Sequence, residues 1–295
     1  MKSLVLGGTG FIGQHLCRDL GPDAKCFGGR FEDQKALREA MQGVDVVFHL
    51  ISTTIPETSN RDVQFDLISN VAPTLQMLDL ARENKVVKVI YVSSGGAVYG
   101  PDCHRPLKED DATNPICAYG IHKLMIEKYL RLFYRLWGLD YRILRVANPY
   151  GPGQGASRAQ GAITQFTNRM RNNEPLEIWG DGSVVRDYVH VEDVVKAIIL
   201  SEKYSGPYKL FNIGSGKGHS LLELVSMVGK AAGRSVEIIF SEARPVDVPV
   251  NILDISRAEE ELGWHPTISL EDGIRKLLET QHGENTGDRR QRLSR

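Results

Sequence analysis

Leu4-Val5-Leu6-Gly7-Gly8-Thr9-Gly10-Phe11-Ile12-Gly13 is the stretch that decides the fold of this chain. A short apolar run ends in glycines and passes into a helical pattern over Phe11–Leu20. Gly7 permits a tight turn, Gly10 lets the backbone approach a pyrophosphate, and Gly13 lets helix and strand pack closely. The helix N-terminus then faces the phosphates, so Gly7, Gly10, Phe11, Ile12 and Gly13 are candidate dinucleotide-binding residues. Outward from this turn, short β-rich runs alternate with helical patterns, as in a parallel sheet wrapped by helices. Candidate strands cover 3–6, 24–28, 44–50, 87–93 and 141–146, and several are nearly continuous apolar runs. Candidate helices cover 11–20, 33–41, 65–83 and 119–137. Together they read as an α/β fold: a Rossmann-type parallel sheet with helices on both faces.

Tyr119-Gly120-Ile121-His122-Lys123 is the second informative stretch. A tyrosine and a lysine four apart on a helix share one face. The ammonium favours the phenolate, so a phenol with a reference pKa of about 10 can exchange a proton near neutrality. With the glycine turn upstream, this pattern suits a nicotinamide cofactor working at a carbinol carbon. Tyr119 and Lys123 are then both catalytic and cofactor-contacting. Without the turn, Tyr119 would read as a helix-surface aromatic and Lys123 as a solvated charge.

Cys26-Phe27-Gly28-Gly29-Arg30 departs from the dinucleotide pattern. An acidic residue for the adenosine ribose is expected about 20 residues after the glycines. Here the slot holds glycine followed by Arg30. Arg30 would pair with a 2′-phosphate and so argues for NADP; as a solvated surface residue it leaves NAD. Only about 30 residues separate Gly13 from Val44, which is short for two strands and two connections. The second-strand region is therefore expected to be shortened, with one strand missing or merged.

After Asn148-Pro149-Tyr150-Gly151-Pro152-Gly153 the composition shifts toward Gly, Gln and Arg. A helix is expected over 162–171, then strand and helix patterns at 188–200 and 209–213, a helix at 221–232, a strand at 236–240 and a helix at 270–280. We divide the chain into a dinucleotide-binding region, 1–150, which also receives elements from about 188–213, and a smaller α/β substrate region, 151–282. Residues 283–295 are polar, basic and expected to fray. A hydrophobic share of 41% and a charged share of 25% are those of a soluble globular protein. A net charge of −1 gives no attraction to nucleic acid or an anionic membrane. No run is long and apolar enough to span a bilayer. The four cysteines are scattered without metal-ligand spacing and read as reduced thiols of a cytoplasmic protein. No histidine pattern suggests a metal: His49 reads as a satisfied core residue, and His122 need not face a cofactor.

Further stretches carry a family resemblance: Val92-Ser-Ser-Gly-Gly-Ala-Val-Tyr-Gly100, Leu144-Arg-Val-Ala-Asn-Pro-Tyr-Gly-Pro152, Trp179-Gly-Asp-Gly-Ser-Val-Val-Arg-Asp-Tyr188, Phe211-Asn-Ile-Gly-Ser215 and Leu262-Gly-Trp-His-Pro266. With the two motifs above, the chain resembles the extended short-chain dehydrogenase/reductase family in its nucleotide-sugar epimerase/dehydratase branch. Within it, the UDP-glucose and UDP-N-acetylglucosamine 4-epimerases are most alike. The resemblance implies NAD as cofactor, a UDP-sugar as substrate, and a homodimer through helices 65–83 and 119–137. It implies oxidation at sugar C4 and reduction on the other face, with Tyr119 as acid/base and Lys123 holding the nicotinamide ribose. Asn70 matches a family asparagine near the cofactor. Asn148 matches one at the substrate, Arg186 and Arg244 match diphosphate clamps, and Asp247 lies near the nucleotide ribose. Gln160 and Trp179 match the nucleotide pocket more loosely.

One catalytic slot does not match. The family places Ser or Thr three residues before the valine of the Val-Tyr-Gly turn, and this chain has Gly95 there. Ser94 is the substitute hydroxyl. Two readings compete with 4-epimerisation: an NADPH-dependent 4-keto nucleotide-sugar reductase, favoured by Arg30, and a non-catalytic dinucleotide-binding protein, favoured by Gly95.

Overall fold

Val5 and its neighbours in Ser3–Leu6 (β1) are almost fully withdrawn from solvent, which an apolar four-residue run achieves only as an inner strand. The computed structural model describes residues 1–101, 106–155, 161–235, 237–243 and 248–279. From β1 the chain enters α1 (Phe11–Leu20), β2 (Ala24–Phe27), α2 (Gln34–Ala40) and β3 (Val46–His49). Three short pieces follow: α3 (Pro56–Ser59), α4 (Val63–Asp66) and a π-helical turn, Leu67–Val71, which runs into α5 (Ala72–Glu83). Then come β4 (Lys88–Ser94), α6 (Ala118–Trp137), β5 (Asp140–Val146) and β6 (Asn148–Tyr150). The remainder is α7 (Ala162–Asn172), β7 (Leu176–Trp179), β8 (Val185–His190), α8 (Val191–Lys203), β9 (Leu210–Ile213), β10 (Gly218–Ser220), α9 (Leu221–Ala232), β11 (Ile238–Ser241), β12 (Val250–Asn251) and α10 (Ser256–Leu262). A last helix, α11, covers 270–279.

The main sheet has six parallel strands in the order β2-β1-β3-β4-β5-β9. The shortened second-strand region takes a definite form. β2 and β3 are separate four-residue strands on either side of β1, and β2 is the edge. The strand that lies outside the second in the 3-2-1-4-5-6 order is the one missing. Strand order therefore reverses at β1, and the glycine turn sits at that switch point, where ligands bind in such sheets. Helices α2, α5 and α6 cover one face through Leu37, Met77, Leu78, Ile126, Leu130 and Phe133. Helices α1, α8 and α10 cover the other through Leu16, Val194, Ile198 and Ala258. A smaller core joins α7, α9 and α11 through Phe166, Met170, Leu224, Val228 and Ile274.

The continuous helix expected over 65–83 is broken. Pro73 stands at the start of α5 and has no N–H to donate back along the helix. The ladder passes this gap as a π turn, in which Ala72 N–H bonds the Leu67 carbonyl. The turn leaves Asp66, Ser69 and Asn70 buried.

The cysteine reading is corrected in part. Cys17 on α1 and Cys26 on β2 form a disulfide with Cα atoms 6.4 Å apart. Helix α1 packs back across β1 onto β2, so the spacing of these two in sequence did not reveal their proximity. Cys117 is a buried free thiol, and Cys103 lies outside the described residues. The tail at 283–295 also lies outside them.

Candidate active site

The glycine turn has the geometry that its residue types predict. Gly7 has φ +87°, and its carbonyl accepts from Gly10 N–H at 2.9 Å. A Cβ on Gly13 would lie 2.0 Å from that carbonyl oxygen, so no side chain fits. Gly10 caps α1 without a side chain, leaving the first helical N–H groups open to the cleft. The cleft encloses about 500 Å³ and runs from Gly7, Gly10, Phe11 and Ile12 to Ser94, Tyr119 and Lys123. A cradle that only glycine can line, next to an uncapped helix start, fits a dinucleotide pyrophosphate.

Tyr119 opens α6, whose first N–H groups are held by α3 and the residue after it. Ala118 N–H donates to Asn60 Oδ1 at 2.9 Å and Tyr119 N–H to Ser59 Oγ at 3.1 Å. The half-buried phenol lies beside the Ser94 hydroxyl at the end of β4, and both line the cleft. Lys123 Nζ donates to the Val92 carbonyl at 2.9 Å and lies 5.6 Å from the Tyr119 ring centroid. Behind it, Glu127 accepts from Ser93 Oγ at 2.6 Å and pairs with Arg145 at 2.7 Å, which fixes β4 to α6 and β5. Burial pushes the Tyr119 phenol up to about 12, and the Ser94 hydroxyl draws it partly back. Burial also lowers Lys123 to about 8, opposed by Asp66 and Glu127. The expected depression of the phenol by Lys123 is not found: desolvation is the largest influence on Tyr119, and what lowers it is Ser94.

Asn70 accepts from Thr53 N–H at 2.9 Å and donates to Asp66 Oδ1 at 2.7 Å. It therefore pins the loop after β3 that forms one wall of the cleft. The cleft continues at Asn148 and Arg186 into a second pocket of about 240 Å³, lined by Phe166, Glu177, Trp179 and Tyr188. Asn148 Nδ2 donates to the Asp187 carbonyl at 2.9 Å, and Arg186 donates to the Val185 and Val248 carbonyls. The Asp187 carboxylate is engaged by Ser215, Gly216 and Leu253. Arg30 is exposed beyond β2 and outside the described cleft lining. Arg244, Asp247 and Gln160 lie outside the described residues.

Residues 3–214 match the NAD dependent epimerase/dehydratase family. The chain belongs to that family. It is 34% identical over 307 residues to the dTDP-4-dehydro-6-deoxyglucose reductase of Escherichia coli, covering 94% of this chain and 96% of the other. Its fold superposes on the UDP-glucose 4-epimerase of Thermotoga maritima, solved with UDP-glucose, with a TM-score of 0.92 and 34% identity, covering 96% and 99% of the two chains. The Thermus thermophilus UDP-glucose 4-epimerase in complex with NAD gives a TM-score of 0.90 at 28% identity, covering 96% and 99%.

Within this epimerase/dehydratase framework, Gly95 is tightly packed against buried Leu253. A Cβ there would stand 2.6 Å from Leu253 Cδ1 and 3.1 Å from the Arg145 carbonyl, whereas Ser94 lines the cleft. Trp179 is 38% exposed and lines the second pocket, so it is not core packing. His49 is buried between the Phe31 and Tyr91 rings, with each centroid 5.2 Å away. Sequence reasoning passed over Asp66 and assigned His122 no partner: the two are buried together, with His122 Nδ1 2.8 Å from Asp66 Oδ2. The only local signal was their helical position near Asn70 and Lys123. Among the described residues no cluster of three or more His, Cys, Asp or Glu could hold a metal ion, and no helix is long and apolar enough to cross a membrane.

Proposed function

We propose that this chain is an NAD(P)-dependent 4-epimerase of a UDP-hexose or UDP-N-acetylhexosamine, working through a transient 4-keto sugar. The observation that carries the reading is the Ser94–Tyr119–Lys123 cluster on the wall of the glycine-turn cleft, which continues at Asn148 and Arg186 into the second pocket. Gly7, Gly10, Phe11 and Ile12 would hold the pyrophosphate of NAD, and Lys123 and Tyr119 its nicotinamide ribose. Bound NAD supplies a two-electron acceptor for sugar C4 that returns what it takes. Tyr119 removes the C4 hydroxyl proton and gives it back, while Ser94 orients that oxygen. The Lys123 ammonium offsets charge on the phenolate. Arg186, at the junction of the two cavities, meets the substrate diphosphate; the family resemblance gives Arg244 a second diphosphate contact and Asp247 one near the nucleotide ribose. Asn148 contacts the sugar.

Incubation with UDP-glucose or UDP-N-acetylglucosamine and a trace of NAD, followed by proton NMR, should show the C4 epimer. Failure with every UDP-sugar would reject this reading. Arg30 and the likeness to a 4-keto-sugar reductase favour a second reading, reduction of a 4-keto nucleotide-sugar. Stoichiometric NADPH consumption without epimer, and tighter binding of NADP than NAD that Arg30→Ala erases, would establish it. We further propose that two copies pair through an exposed apolar face carrying Phe65 and Ile68 before α5 and Ile121, Leu132 and Leu136 on α6.

A further inference from the structure

Beneath Lys123 lies a cavity of about 10 Å³, walled by Asp66, Asn70, Tyr91, Tyr119, His122 and Lys123. It holds one water at most, and the Asp66 and His122 side chains on its wall are buried, so solvent screens their charges little. Asp66 is 1% exposed and His122 6% exposed. The remaining carboxylate oxygen of Asp66 accepts from Asn70 and from the Thr54 hydroxyl, so His122 is its one ionisable hydrogen-bond partner among the described residues. The Tyr91 hydroxyl is buried without a hydrogen-bond partner and shares the same wall. Lys123 Nζ lies 4.9 Å from the Tyr91 ring centroid, next to that hydroxyl's ring.

We propose that Asp66 and His122 are positioning residues that act through Lys123 and Tyr119: the buried Asp66 carboxylate, held in place by His122, sets the ease of phenolate formation by its charge. The proposal rests on Tyr119 being the acid/base of the proposed reaction. Its physical basis is proximity in a dry site. A buried negative charge holds Lys123 as ammonium and opposes a second negative charge on Tyr119, and both directions appear in these two groups. The other ionisable groups facing the couple are Cys117 before α6, Tyr91 on β4, Glu127 one turn along α6 and His49 on β3. Glu127 is neutralised by Arg145, and burial keeps His49 uncharged. Asp66, whose side-chain hydrogen-bond partners among the described residues are Thr54, Asn70 and His122, is therefore the carboxylate of this group that faces Lys123 and Tyr119 without an arginine or lysine paired to it.

Two variants differ in that charge. His122→Gln keeps the Asp66 carboxylate and retains an amide donor for it. Asp66→Asn removes the negative charge and retains an acceptor. In protein labelled with ¹³C at tyrosine Cζ and saturated with NAD, the Tyr119 resonance is identified by its loss in Tyr119→Phe. Its ionisation midpoint should lie higher in His122→Gln than in Asp66→Asn by about one unit. Should Asp66→Asn not fold, His122→Lys, which fixes a cation beside Asp66, replaces it with the same expected direction. Equal midpoints, or the reverse order, overturn the proposal. Turnover of UDP-glucose by Tyr119→Phe separately tests the underlying reading: retained turnover rejects Tyr119 as acid/base, whatever the midpoints show.

Discussion

Gly95 faces Leu253 so closely that a Cβ would come within 2.6 Å of Cδ1, while its neighbour Ser94 faces Tyr119. On the proposed reading, the hydroxyl that serves the reaction is then the one at the end of β4 rather than one at the next position. Ser94→Ala should lower turnover about 10-fold or more with folding intact, since it removes one hydrogen bond to the reacting centre. Gly95→Ser should not improve catalysis and should destabilise by about 1–3 kcal/mol through overpacking. Steady-state rates and thermal melts of both variants check this. A more active and equally stable Gly95→Ser protein would show the family's slot to be available after all.

Gly13→Ala tests the cradle. Its added Cβ would stand 2.0 Å from the Gly7 oxygen, and backbone cannot yield as a side-chain tip can. NAD affinity by calorimetry should fall at least about 10-fold, with a lower melting temperature, because turn and helix must separate. Unchanged affinity would place the dinucleotide elsewhere.

His49 sets a pH dependence of stability. Thr74 Oγ1 donates to the Asn70 carbonyl at 2.6 Å, so His49 Nε2 must be the donor to Thr74 at 2.9 Å, and Nδ1 is left bare and buried. Desolvation by burial, with Lys123 adding to it, lowers His49 from its ordinary 6.5 to about 3. The unfolded chain then binds a proton between those values that the folded chain does not. Stability should fall as pH drops from 6.5 toward 3 with a slope of about one proton from this group. Urea titrations of wild type and His49→Phe across that window should differ by that slope. Parallel curves would show that His49 does not hold the proton difference.

The Cys17–Cys26 disulfide closes a loop with a sequence separation of 9, for which the chain-entropy account gives about 2–3 kcal/mol. It packs under the glycine turn: a Cβ on Gly8 would lie 2.9 Å from both Cys17 Sγ and Cys26 Cβ. Dithiothreitol should lower wild-type stability by that order and leave the Cys17→Ser/Cys26→Ser double variant unchanged. Mass spectrometry showing both thiols free in untreated protein would remove the prediction.

Ile68 is 63% exposed and Leu136 57% exposed on the face assigned to self-association. Ile68→Glu should convert a dimer to a monomer in sedimentation velocity, since an isologous contact places each substituted residue in the same interface twice. A monomeric wild-type protein would end this assignment.

The glycine turn, the strand and helix periods and the Tyr119–Lys123 face were legible in the sequence because each depends on residues within about one or two turns of one another. Even the missing strand could be inferred, since chain length bounds how many elements fit. The break at Leu67–Val71 was less legible: Pro73 was visible, but whether a proline kinks, ends or bulges a helix depends on what packs beside it. Other features depended on tertiary structure alone. Asp66 meets His122 across a separation of 56 residues, and Asn251 donates to the Gly95 carbonyl across 156. Cys17 reaches Cys26 only because α1 folds back over β1. Local pattern records which face of an element is apolar; it does not record which distant side chain that face will meet. Charge pairing, desolvation and steric exclusion arise from those meetings, and they decide that Ser94, and not residue 95, faces Tyr119 and that a buried carboxylate lies beneath Lys123.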